Sequence, residues 1–125
     1  MIFLRKQEVI DIQSRLIEEF GGSHGLRDEG ALESALAAAE NRAFYEEADP
    51  AIRAATYAYH LTQAHAFIDG NKRMAAAVAE VLVELNGGQL KATNDEVVAL
   101  FLRIAAGELS RDEVEAFFIE RIIKM

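Results

Sequence analysis

Within one short stretch, His65-Ala66-Phe67-Ile68-Asp69-Gly70-Asn71-Lys72-Arg73, the chain sets an imidazole, a carboxylate, a glycine, an amide and two adjacent cations. An imidazole titrates near neutral pH and can take the proton of a hydroxyl. Lys72 and Arg73 supply positive charge, and a guanidinium grips phosphate oxygens in pairs. Gly70 lets a backbone turn tightly and approach a ligand closely. Asp69 would repel a bare phosphate, but it fits a site where a hard divalent cation lies between them. Mg²⁺ commonly takes one or two carboxylates and completes its shell with phosphate oxygens and water. A base, a metal carboxylate and a cation cluster are the working parts of phosphoryl-type transfer to a hydroxyl.

Each part taken alone has a plainer reading. A histidine at a helix end serves as a C-terminal cap or a packed polar group. Asp-Gly-Asn is a common turn. Lys72 and Arg73 suit a solvated surface, and Phe67 and Ile68 read as core anchors. The conjunction is harder to explain that way. Two cations in the first turn of a helix oppose its dipole unless an anion is bound there.

The elements around this stretch read as helices. From Gln7 to Phe20, apolar residues recur at Val9, Ile12, Leu16 and Phe20, and Gly21-Gly22 stops the run. Asp28 is placed to cap a second helix with the stripe Leu32, Ala35, Leu36, Ala39. Asn41 to Pro50 mixes aromatics with acids and is expected to form a connecting flap, partly extended. Pro50 opens a third helix. It runs from about Ala51 to His65 and is apolar on nearly every face, which marks a central element. A fourth begins at Gly70 or Asn71 and ends at Asn86-Gly87-Gly88. Its alanines (Ala75, Ala76, Ala77, Ala79) admit a close neighbour. Thr93 with Glu96, and Ser110 with Glu113, are capping boxes that start the last two helices, and the stripe of the second includes Ile122. Gln89-Leu90-Lys91 suits a short extended piece. The expectation is an all-α, compact single-domain bundle of about six helices spanning residues 1–125, with the chemical loop between two central helices.

Composition sets outer bounds. The 125 residues suffice for one core and not for two. The formal charge of −8, from 13 Lys+Arg against 21 Asp+Glu, opposes a general grip on nucleic acid, which needs a basic face. Four apolar residues before Arg5-Lys6 make no signal peptide, and no apolar run approaches a membrane span. With no cysteine, disulfide scaffolds and thiolate metal sites are excluded, and a reducing cytoplasm is the expected compartment.

The stretch His-Ala-Phe-Ile-Asp-Gly-Asn-Lys-Arg resembles the motif of the Fic/Doc superfamily, His-Pro-Phe-x-(Asp/Glu)-Gly-Asn-Gly-Arg in Fic proteins. Ala66 stands in place of the proline, and Lys72 replaces the second glycine. Both departures mark the Doc branch, the toxins of toxin–antitoxin pairs. Gly25-Leu26-Arg27-Asp28, the helix of Leu32, Ala35 and Leu36, Tyr45-Glu46-Glu47 and the length also look Doc-like, so the resemblance covers nearly the whole chain.

The resemblance implies a compact helical fold and a kinase that moves the terminal phosphate of ATP, with Mg²⁺, to a threonine of elongation factor Tu, arresting translation. It implies His65 as base, Asp69 as metal ligand, Asn71 orienting phosphate or substrate, Lys72 and Arg73 on the phosphates, and Gly70 in the anion-binding turn. It also implies an antitoxin whose disordered C-terminal segment folds on the toxin. The surplus acid of this chain would suit a basic segment. Two other readings stand beside this one. The first is a Fic-type nucleotidyltransferase, against which Lys72 counts. The second is an inactive anion-binding module. Arg27, Asp28 and Tyr45 receive no assigned role, Asp28 being sufficiently explained as a cap. His24 reads as surface and His60 as a packed histidine.

Overall fold

The computed structural model describes residues 4–45 and 50–124. Among these residues there are six helices: α1 (Lys6–Phe20), α2 (Glu29–Tyr45), α3 (Pro50–Ala64), α4 (Asn71–Leu85), α5 (Asn94–Ala105) and α6 (Arg111–Arg121). Two three-residue strands, β1 (Gly88–Leu90) and β2 (Ile122–Lys124), pair antiparallel with Gln89 opposite Ile123. The expected helical bundle is therefore present. No helix among the described residues is long and apolar enough to cross a membrane.

The centre is α3, which packs against α2, α4, α5 and α6. Its Ala54, Ala55, Tyr57 and Ala58 are fully buried, as their apolar spread around the helix requires. Small side chains on α4 (Ala75, Ala79) let the two helices approach, with Met74, Val78 and Leu82 filling the space between neighbours. The two helices that flank the chemical loop are thus the best-anchored pair in the molecule.

Polar groups tie the outer helices to one another and to this pair. Arg42 of α2 grips Glu115 of α6 in a fork, Nε to Oε1 at 3.0 Å and Nη2 to Oε2 at 3.1 Å. Glu115 is almost fully buried, and the fork gives its carboxyl oxygens the hydrogen-bond partners that burial requires. Gln63 of α3 donates to the carbonyl of Ile104 at the end of α5 (2.7 Å), and Arg53 donates to Asn86 at the end of α4 (2.8 Å).

Two segments differ from the sequence reading. Residues 41–45, expected in a flap, continue α2. They contain neither glycine nor proline, and the Arg42–Glu115 fork holds that turn against α6. Residues 46–49 of the expected flap lie outside the described residues. Ile122 belongs to β2 and not to the last helix. The β-branched pair Ile122-Ile123 leaves the helix to pair with β1, which lies where a short extended piece was expected.

Both expected capping boxes form. Thr93 and Ser110 accept from the N–H groups of Glu96 and Glu113, whose carboxylates accept from the N–H groups of Thr93 (3.1 Å) and Ser110 (3.0 Å). Those backbone bonds hold both carboxyls below the ordinary glutamate value, with the Arg121 side chain adding to the effect at Glu96. A carboxyl depressed in the folded state contributes its stability fully above its unfolded value near 4.5. That contribution is lost as the pH falls through the lowered value. Glutamine keeps the reciprocal bond but does not titrate. The double variant Glu96→Gln, Glu113→Gln should therefore lose less stability than the wild type between pH 5 and 3 (roughly the interval set by these shifts), as followed by urea midpoints. Equal slopes would contradict the assignment.

Candidate active site

α3 ends at Ala64, and His65 follows with φ +48°, the one described non-glycine residue in the left-handed region. It occupies the position where a helix usually turns off through glycine. Its ring is exposed. Phe67 is buried and anchors the loop, whereas Ile68, also expected as an anchor, is 56 % exposed. Gly70 has φ +72° and stands immediately before α4. An L-residue would be strained there, which is why glycine precedes Asn71.

The loop's backbone is bonded almost residue by residue to its surroundings. The guanidinium of Arg27 donates to the carbonyl of His65 at 2.6 Å. The N–H groups of Arg27 and Asp28 both donate to the carbonyl of Ala66, at 2.8 and 3.0 Å, and Ile68 donates to Gly25 at 3.0 Å. Leu26 and Phe67 form an antiparallel bridge between these segments. Asn71 reaches back to Phe67 with both ends of its amide, accepting from its N–H at 3.0 Å and donating to its carbonyl at 2.9 Å. The buried Gln13 of α1 donates to the carbonyl of Asp69 at 3.2 Å.

The Asp69 carboxylate faces the α1–α2 connection. Its Oδ1 accepts the N–H of Gly70 at 2.8 Å and its Oδ2 that of Ser23 at 3.2 Å. Gly22 lies against it so closely that an added Cβ would come 2.5 Å from Oδ2.

α4 therefore starts without a side-chain cap. Its first intrahelical bond runs from Met74 to the Gly70 carbonyl at 2.9 Å, leaving the N–H groups of Asn71, Lys72 and Arg73 ahead of it. Such groups, with the positive end of the helix dipole, attract an anion. Lys72 is exposed and makes no ion pair among the described residues. Arg73 lies over the ring of Phe20 at 4.4 Å, a cation–π contact that steadies the guanidinium and leaves its N–H fork available. Residues 69–73 line one side of a cleft of about 380 Å³, and Val97, Val98, Phe101 and Leu102 of α5 line the other. One wall is cationic and amide-rich, and the other is apolar. His65 is outside this lining, at the far end of the same loop.

The donor set sorts the metal question. No cluster of three or more His, Cys, Asp or Glu side chains suited to a metal occurs among the described residues. Asp69 is the one carboxylate residue among those lining the cleft, and each of its oxygens retains a lone pair beside the N–H it accepts. That fits a Mg²⁺ ion drawing most of its ligands from phosphate and water, and does not fit an all-protein cage.

Among the candidate residues, Asp69, Gly70, Asn71, Lys72 and Arg73 meet in the cleft, with the side chain of Asn71 engaged on Phe67. Asp28 caps α2, accepting the N–H of Ala31 at 2.9 Å. His24 is exposed, 3.3 Å from the hydroxyl of Ser14. His60 is half-buried edge-on to Tyr59, and burial, reinforced by the nearby Arg111 charge, lowers its pKa. Sequence reading missed the supporting roles of Gln13, Phe20 and Arg27. Gln13 carried a signal as an amide on the buried face of an amphipathic helix, and Arg27 lay in a segment that the family resemblance picks out.

With this geometry in view, comparison with known proteins is direct. Residues 3–83 match the Fic/DOC family, and the chain belongs to that family. Over 115 residues it is 30% identical to a protein named Protein kinase doc from Escherichia phage P1, covering 91% of this chain and 90% of that protein. Over 78 residues it is 38% identical to a protein named Toxin Doc from Mycolicibacterium smegmatis, covering 61% of this chain and 60% of that protein. The chain is a Doc-type member of the family.

The Asp69–Gly22 contact can be tested by stability alone. Gly21 and Gly22 both have positive φ (+88° and +119°), but an added Cβ meets nothing within 4 Å at Gly21. Gly22→Ala should cost about 1–2 kcal/mol more than Gly21→Ala, the usual cost of overpacking, as measured by urea denaturation. Equal costs would show that Asp69 is not held against this turn.

Proposed function

We propose that this chain is the toxin of a toxin–antitoxin pair and acts as a protein kinase, transferring the γ-phosphate of ATP to a hydroxyl of a protein target. The observation that carries this reading is the uncapped start of α4. Three N–H groups, Lys72 and Arg73 converge there on a cleft, with a histidine on the same loop. The apolar wall formed by α5 suits the organic part of a phosphate-bearing donor. The names of the two relatives, a protein kinase and a toxin, support the same reading.

In this mechanism the helix start and the Lys72 and Arg73 side chains hold the phosphates. His65 accepts the proton of the attacking hydroxyl as the new O–P bond forms. The bond from the γ-phosphorus to its bridging oxygen breaks, and ADP leaves. Charge that builds on the transferred group is met by groups already in place, which is where most of the rate gain in such transfers arises. Mg²⁺ held by Asp69 would supply charge neutralisation between the phosphates. Asn71 acts through the loop, keeping the anion turn in shape.

Lys72 bears on which phosphorus reacts. A glycine at that position would leave room for a diphosphate along the helix start. A lysine occupies the room and adds a charge, which favours presentation of the terminal phosphate. The target is a threonine of a translation factor such as elongation factor Tu, and an antitoxin with a disordered C-terminal segment restrains the enzyme. Nucleotidyl transfer, as in Fic proteins, is the alternative chemistry at the same residues.

Incubation with ATP labelled at the γ or the α phosphorus, Mg²⁺ and a bacterial translation extract separates these outcomes. Label from the γ position should appear on one protein and be lost with His65→Ala. Transfer of α label would establish nucleotidylation instead. Absence of either label, with toxicity retained by His65→Ala, would establish an anion-binding module.

A further inference from the structure

We propose that Arg27 is a positioning residue for His65, locking the base into its left-handed backbone conformation. This rests on the reading of His65 as the base. The left-handed region is unfavourable for any residue with a Cβ, so the chain at His65 would relax unless its neighbours opposed it. Rotation of φ back to negative values would swing the peptide between His65 and Ala66 and redirect the imidazole. Arg27 opposes that rotation at two successive carbonyls, the one in this peptide and the one in the next. Its guanidinium donates to the His65 carbonyl at 2.6 Å, and its own N–H donates to the Ala66 carbonyl at 2.8 Å.

The anchor is itself fixed. Asp28, the next residue, donates to the same Ala66 carbonyl and caps α2 through Ala31. Leu26, on the other side, bridges to Phe67. The charge also suits its place, since a cation stabilises the carbonyl end of a helix and His65 directly follows α3. Arg27 thus acts on the reaction through the base, from a segment 38 residues away in sequence and without lining the cleft.

The test uses the full chain with Arg27→Met and Arg27→Lys, judged first by hydrogen exchange, which needs no activity. Exchange at the amides of Asp28 and Ile68 should quicken in Arg27→Met while that of α5 and α6 stays as in the wild type. Unchanged exchange at Asp28 and Ile68 overturns the proposal, and so does a general increase, which would mark an ordinary loss of stability. In the labelled-phosphate assay, kcat should fall about tenfold, the rate equivalent of one weakened charge-assisted bond, with KM for ATP unchanged. Arg27→Lys, which keeps a charged donor, should recover part of the rate. A raised KM with unchanged kcat would show that Arg27 touches the donor directly, and equal activity in all three proteins would show that it does nothing to the base. A wild type that transfers no label defeats the kinase reading, whereas the exchange result bears on Arg27's hold on the loop in either case.

Discussion

The structure depends on keeping a short non-helical loop rigid while leaving the first amides of α4 free. Those two demands conflict, because the nearest acceptors for the amides are the loop's own side chains. The conflict is resolved by turning the acceptors elsewhere. Asn71, the first residue of α4, gives both ends of its amide to Phe67, and Asp69 accepts Gly70 and Ser23. Carbonyls at His65, Ala66 and Asp69 are satisfied from α1 and from the α1–α2 connection. What remains unspent is the anion-attracting start of α4.

The rest of the fold serves that arrangement. α3 and α4 are the most thoroughly buried helices, so the ends of the loop are fixed by the core. α1 contributes Gln13 beneath the loop and Phe20 beneath Arg73. The fork between Arg42 and Glu115 ties α2 to α6, and the Gln63 bond to Ile104 and the Arg53 bond to Asn86 tie α5 and the end of α4 to α3. A phosphate drawn to the cleft would therefore meet backbone N–H groups whose helix is already fixed by the core.

Much of this was legible in the sequence because the signals were local. Thr93 with Glu96 and Ser110 with Glu113 announce helix starts by their own chemistry, and Gly70 before Asn71-Lys72-Arg73 marks the turn into α4. The end of α2 was not legible. Residues 41–45 look like a flap until Arg42 is seen to find Glu115 across 73 residues of chain. β2 was hidden for the same reason, since Ile122 continues the apolar spacing of α6 and turns to strand only because β1 is beside it. At the site, the residue types were readable and the supports were not. In sequence Arg27 reads only as part of a family-like segment, and Phe20 only as the last apolar position of α1. Only the fold sets one against the His65 carbonyl and the other against the Arg73 guanidinium.

The central claim is that the open start of α4 is a phosphate site. Amide chemical shifts recorded while Mg²⁺ and ATP, or inorganic triphosphate, are titrated into the folded protein test it most directly. The account predicts that the amides of Asn71, Lys72 and Arg73 move first and saturate together, with triphosphate alone reproducing their response. Shifts confined to other elements, such as α6, with none at Asn71, Lys72 and Arg73, would contradict it.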